Sequence, residues 1–316
     1  MSPSIGAIRA ALAQPSTRGR WRYRQAALAT GAGLAAKAAG LASTLLTIPL
    51  TAPYLGPERF GLYMTISAVP LVLSFSDFGI GNGLLTELSA ADGRNDREHA
   101  QNLVSSAFFV LAGIALVLGL IALPAIAAAP WAAIVNLNSP LAATEAPLSI
   151  AIFVACVLIG IPLGVPQRVQ QAYQVGYLAN LWLLGANLAT LISLVACVRL
   201  RLGLPWFIAS IAVPQLLASV GCWAVEMSGP RAWLRPEWSR VRWTEAVHIA
   251  RAGLMIFSAQ VSAALLLTAP VFLLGRLFGQ PAVASYAVIQ RILSAFVVAA
   301  GLLVTPLWPA YGEAFA

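Results

Sequence analysis

Few residues in this 316-residue chain have chemical capacity, and most of them stand alone in apolar surroundings. Lys37, Asp77 and Arg291 each interrupt a long hydrophobic run, as do Arg251 and the amides Asn82, Asn180, Asn187, Gln260 and Gln290. An ionised or strongly polar group in such a setting is costly, which makes each a candidate for a pathway, a binding site or a charge pair. Asp77 and Lys37, opposite in sign, suit a buried pair that fixes helix register. Arg251 is near enough to a helix end to snorkel toward water. Arg291 is deeper and has no acidic residue within its own apolar run. A guanidinium facing a cavity holds phosphate or pyrophosphate by paired hydrogen bonds, and that is the expected role of Arg291.

The spacings that mark catalysis are missing. There is no GxxxxGK[ST] phosphate loop and no HExxH, and the only histidines are His99 and His248, at or near helix ends. The run from Gly31 to Ala36 fits the dinucleotide fingerprint GxGxxA on paper, but no strand precedes it, so close helix packing by small residues is expected there. Cys156, Cys197 and Cys222 each lie inside an apolar run with neither CxxC spacing nor an adjacent His, which argues against a metal site or a disulfide framework. Neither a cofactor nor a catalytic residue is expected.

The elements that must position these residues follow from composition. The chain is 59% hydrophobic and 9% charged, with a mean hydropathy of +0.82. That is too little charge to cover a water-facing surface, which excludes a soluble globular protein. Period-two alternation is absent, so the apolar runs are helices, the open-ended structure that satisfies its own backbone in lipid. Eight segments are expected to span, near 26–52, 61–89, 101–125, 147–168, 173–198, 205–226, 246–275 and 282–305. With the N-terminus inside, twelve arginines fall on cytoplasmic segments and four, Arg59, Arg199, Arg201 and Arg276, on outer ones. The positive-inside rule therefore puts the N-terminus in the cytoplasm and accounts for the net charge of +8 without nucleic acid. Arg231 to Trp243 interleaves arginine with Trp233, Trp238 and Trp243, expected to lie as an amphipathic belt on the inner leaflet. Gly79 and Gly83 have the four-residue spacing of close helix packing, and a helix weakened there can bend, so that Asp77 and Asn82 line a cavity.

The chain also echoes itself. Leu46-Thr47-Ile48-Pro49, then Gly56 and Tyr63, reappears as Leu267-Thr268-Ala269-Pro270, then Gly279 and Tyr286. Two copies starting on the same side of the membrane predict parallel six-helix repeats, the second stopping after two helices. The expected organisation is a basic cytoplasmic N-terminus over 1–25, a complete six-helix lobe over 26–226, a basic and aromatic linker over 227–245, and the first two helices of a second lobe over 246–316. Four further helices are expected beyond Ala316 in a complete protein.

Three stretches carry a family resemblance. They are Leu46-Thr-Ile-Pro-Leu-Thr-Ala-Pro-Tyr-Leu-Gly-Pro-Glu-Arg-Phe-Gly61, Ser74-Phe-Ser-Asp-Phe-Gly-Ile-Gly-Asn-Gly83 with Asp92-Gly-Arg-Asn-Asp96, and the ending Pro306-Leu-Trp-Pro-Ala-Tyr-Gly-Glu-Ala-Phe315. The chain resembles the polysaccharide biosynthesis proteins, the O-antigen and exopolysaccharide flippases of the multidrug/oligosaccharidyl-lipid/polysaccharide exporter superfamily. The resemblance implies two six-helix lobes around a cationic cavity, and movement of undecaprenyl-pyrophosphate-linked oligosaccharide across the bacterial inner membrane by alternating access. It implies Arg291 and Lys37 on the pyrophosphate, Asn82, Gln260 and Gln290 on sugar, and Asp77 coupling the cycle to a cation. Membrane lipids, a polysaccharide polymerase and other assembly proteins are the implied partners. A drug/cation antiporter, a partner-dependent subunit that does not itself transport, and a membrane glycosyltransferase or polymerase are the other readings; the last would need a catalytic acid, and the outer loops offer Glu58 and Glu145.

Overall fold

Helix follows helix along the chain, with breaks where proline, glycine or a cap interrupts the backbone ladder. The computed structural model describes residues 17–73, 79–229 and 231–304, and most of their side chains from Gly31 onward. Helix α1 runs Thr17–Leu73, α2 Ile80–Gly93, α3 Arg97–Ala128, α4 Trp131–Ile134, α5 Pro140–Leu163 and α6 Val165–Ala172. Then come α7 Gly176–Arg199 and α8 Leu204–Ser228, two single turns of 3₁₀ helix at Ala232–Leu234 and Trp238–Arg240, α9 Trp243–Phe278 and α10 Gln280–Val304.

Described helices overlap each of the eight apolar segments. Among the described residues, five ranges are long and apolar enough to cross a membrane: Gly31–Ser67, Arg97–Ala128, Pro140–Ala172, Gly176–Arg199 and Leu204–Ser228. The first of these ranges contains a reversal in α1, at Gly56, whose φ of 74° and ψ of 168° are not helical. Between α9 and α10 stands Gly279, with φ 80° and ψ 175°. The two positions matched by the sequence echo thus share one backbone conformation, which only glycine adopts without strain. The echoed threonines, Thr47 and Thr268, are both buried.

Segment 61–89, expected as one helix, is two. The described part of α1 reaches Leu73, and Gly79, at φ 78°, caps the next helix, which starts at Ile80. The linker at 231–243 is built from two single 3₁₀ turns. Leu234 is fully buried, and the Glu237 and Arg242 N–H groups donate to Ser105 and Ser106 of α3. The linker is therefore pinned to protein, leaving Trp238 and Trp243, each 73% exposed, as its outward aromatics.

Two buried apolar clusters organise the packing. One holds Leu55, Phe60, Tyr63, Phe207 and Val283, the other Leu84, Leu88, Leu103, Val169 and Ile249. Polar contacts gather at each end. At one end His99 meets Glu245 at 3.5 Å, His248 meets Glu87 at 3.2 Å, and Arg231 pairs with Glu226. At the other, Arg59 grips Glu145 through two 2.9 Å hydrogen bonds. Helix α1 packs most extensively on α7 and α10, and α2 on α9.

Candidate functional site

Arg291 lies about 16 Å along α10, near the middle of that helix. It is half-buried, and its charge is within electrostatic range of Tyr63, which is 1% exposed and is flanked in turn by Thr47. Among the described residues no carboxylate pairs with Arg291. A guanidinium near a buried phenol, with no carboxylate partner among the described residues, is chemically suited to an anionic guest.

The helices that hold this group meet through small residues. A Cβ on Gly61 would stand 2.6 Å from the carbonyl carbon of Gln280 and closer still to its oxygen, so glycine permits the contact between α1 and the start of α10. Gln280 is wholly buried there. Its Oε1 accepts from Thr65 at 2.9 Å, and its Nε2 donates to Val135 O at 2.7 Å. Gln280 thereby ties α10 to α1 and to the loop after α4, about three turns from Arg291. Thr47 and Thr51 turn their hydroxyls onto Ser43 O and Thr47 O, both at 2.7 Å, satisfying themselves within α1.

The structure does not gather all the expected site residues. Lys37 is exposed and lies ten residues before Thr47, about 15 Å away along the helix, so it does not share a level with Arg291. The neighbouring face of α1, at Gly33, Ala36 and Gly40, is covered by Asn180 and Asn187 of α7; Asn187 donates to Ala36 O at 3.2 Å and accepts from Gln215 at 3.3 Å. Those two amides serve packing. Gln290 is half-buried beside Arg291, and Asn82 is half-buried in α2, beyond the break. Asp77 lies outside the described residues, as does the side chain of Gln260. Arg251 is exposed, in keeping with snorkelling.

Gly79 and Gly83 pack as their spacing predicts. Each faces α9, Gly79 against Gly253 and Gly83 against Ile249, at distances that leave no room for a side chain. The two outer-loop carboxylates, Glu58 and Glu145, both accept hydrogen bonds within the protein. Glu145 accepts from Arg59 and from Leu204 N at 3.2 Å, and Glu58 accepts from Asn138 N at 2.6 Å and Ser139 N at 2.8 Å at the start of α5. Among the described residues no three of His, Cys, Asp and Glu converge as a metal site would require.

Tyr63, Thr65 and Gln280 are the neighbours the sequence did not single out as functional. Tyr63 appeared there only through the echo, and nothing local to Gln280 foretells its burial. At the polar end, burial and then the neighbouring Asp92 push the Tyr173 phenol up to about 12, against the opposing pull of Arg231 and Arg97.

Comparison with known proteins bears on this arrangement. In structure the chain is similar to an inward-facing multidrug-resistance transporter of the MATE family in the MOP superfamily, with a TM-score of 0.67 and 16% identity over 89% of this chain and 63% of that one. It is also similar to a MOP superfamily transporter from Pyrococcus furiosus, described as having a binding pocket of reversed polarity that suggests a different function; there the TM-score is 0.65, with 14% identity over 88% of this chain and 68% of that one. An outward-facing MATE transporter gives a TM-score of 0.63 and 14% identity over 88% and 68% of the two chains. The chain thus spans a little under two thirds of the first of these transporters. No individually curated protein matches it. The model of one protein family, described as polysaccharide biosynthesis protein, matches residues 33–315, and the chain belongs to that family.

Proposed function

We propose that the protein moves undecaprenyl-pyrophosphate-linked oligosaccharide from the inner to the outer leaflet of the bacterial inner membrane by alternating access. Family membership and the transporter fold support a flippase in general. The observation that carries the choice of substrate is Arg291, a mid-helix guanidinium near Tyr63 with no carboxylate partner among the described residues. A pyrophosphate supplies the missing negative charge, and a neutral or cationic drug does not.

In this proposal eight helices span, the N-terminus is cytoplasmic, and residues 26–226 form one lobe linked through 227–245 to the start of a second. Arg291 holds the pyrophosphate at mid-membrane. Lys37, exposed and set about 15 Å along α1, meets the anion at another point on its path rather than together with Arg291. Asn82, Gln260 and Gln290 contact sugar, and Asp77 couples the cycle to a cation.

The test is flipping in proteoliposomes, with a fluorescent sugar on undecaprenyl pyrophosphate and an enzyme confined to one side that cleaves only the exposed lipid. Arg291→Gln should abolish flipping, while Arg291→Lys keeps the charge and retains a fraction of the rate. Wild-type flipping by Arg291→Gln would sink the proposal.

A further inference from the structure

Between α5 and α6 the chain reads Pro162-Leu-Gly164-Val-Pro166. Neither proline has an N–H to donate, so the helical ladder breaks, and Gly164 N turns back onto Ile161 O and Pro162 O. The break borders a cavity of about 450 Å³ among α2, α3, α5 and α6. Gln167, Arg168 and Gln171 of α6 form its polar end, and Leu111 and Ile161 are among its apolar walls. A second cavity, of about 220 Å³, shares Val157 and Gly160 with the first and continues along α5 to α8. At Gly160 a side chain would meet nothing within 4 Å, so this glycine leaves the passage open.

The lining is therefore cationic and amide-rich at one end and hydrocarbon at the other. Among the described residues no carboxylate borders the first cavity, and Arg168, half-buried, has no ion pair. A metal cation would be repelled, and a free sugar would leave the guanidinium unmatched. A phosphate on a hydrocarbon chain matches both ends, with paired hydrogen bonds to the arginine and the chain against apolar walls.

We propose that this cavity binds the phosphate end of a membrane amphiphile. Arg168 holds the phosphate, Gln167 and Gln171 donate their amides to its remaining oxygens, and the first part of the hydrocarbon chain lies past Gly160 toward α8. Among the described residues none of α10 lines the cavity, so the site is separate from Arg291 and does not depend on the transport proposal. Two sources share this chemistry: an anionic phospholipid and a polyprenyl pyrophosphate.

The experiment uses the full chain in nanodiscs, equilibrated in turn with phosphatidylglycerol, with phosphatidylethanolamine of the same acyl chains and with undecaprenyl pyrophosphate, and counts retained lipid by native mass spectrometry. The expected result is preference for one or both anionic lipids over phosphatidylethanolamine by about tenfold or more, the scale of a charge-assisted hydrogen bond. Arg168→Gln removes the preference and Arg168→Lys keeps part of it. Gly160→Leu fills the passage without touching the arginine, so it too loses the lipid while its melting temperature stays near wild type. Retention of phosphatidylglycerol alone identifies a bulk phospholipid, retention of undecaprenyl pyrophosphate alone identifies the carrier-lipid class, and either supports the site. Equal retention of all three lipids by the wild-type protein, or an unchanged preference in both Arg168→Gln and Gly160→Leu, overturns it. Should Arg168→Gln fail to fold, Arg168→Lys and Gly160→Leu decide. Lipid retention is read without flipping, so failure here and failure of the Arg291 proposal are distinguishable.

Discussion

At Gly83 the backbones of α2 and α9 are in close contact, and adding one methyl group there should pry them apart. A Cβ on Gly83 would stand 2.8 Å from the carbonyl carbon of Ile249 and nearer still to its oxygen, against an ordinary contact of about 3.5 to 4 Å between carbons. Both partners are backbone, so no rotamer change relieves the overlap, and the helices must separate by about 1 Å or more. Overpacking of this kind costs about 1–3 kcal/mol, or roughly a 5- to 150-fold shift against the state in which α2 and α9 touch. Gly61→Ala should act in the same way between α1 and α10, where the Gln280 backbone is the obstacle. Spin labels at the exposed Ser89 and Val247 report the first contact, and labels at the exposed Pro57 and Ser285 report the second, in a background with the three cysteines replaced. Gly83→Ala should widen the 89–247 distance, and Gly61→Ala should widen the 57–285 distance. Gly113→Ala, where a side chain meets nothing within 4 Å, should change neither. An unchanged 89–247 distribution in Gly83→Ala, or an equal change in Gly113→Ala, would refute the reasoning.

Other consequences are measurable by thermal unfolding in detergent. Glu145→Ala strips Arg59 and the Leu204 N–H of their acceptor in a largely buried setting, and should cost about 2–4 kcal/mol, whereas the apolar pair Arg59→Met with Glu145→Leu should recover most of that loss. Gln280→Leu keeps the volume but leaves Val135 O without its donor, and a fall of about 1–3 kcal/mol is expected; stability equal to wild type would mean that water replaces the amide. Tyr173 is pushed up to about 12 in the folded protein while its unfolded value is near 10, so the folded state keeps its proton longer. The stability this contributes is complete below pH 10 and is lost as pH rises toward 12. Tyr173→Phe should accordingly flatten the fall in melting temperature between pH 9 and 11.

Much of the architecture was legible in composition and periodicity, because a bilayer imposes length and apolarity on each segment independently of its neighbours. Described helices overlap each segment read from the hydrophobic runs. The echo of Thr47, Gly56 and Tyr63 in Thr268, Gly279 and Tyr286 reappears as the matching glycine backbones, since positive φ is a local demand that leaves its residue type in the sequence. The spacing of Gly79 and Gly83 announced a close contact for the same reason.

Partners were not legible, because contact between residues far apart in sequence depends on how helices rotate and shift against one another. That is why Arg291 lies within electrostatic range of Tyr63, with Lys37 one site removed, and why Gln280 is enclosed by Thr65 and Val135. It is also why Glu58 and Glu145, available on paper for catalysis, hold backbone amides and Arg59 instead. By itself the sequence determined that this is a helical membrane protein with isolated charges in its spans, since local pattern suffices for insertion and helix formation. Only the tertiary structure decided which charges meet, which pack away, and which face a cavity, because those choices arise from the interlocking of whole helices.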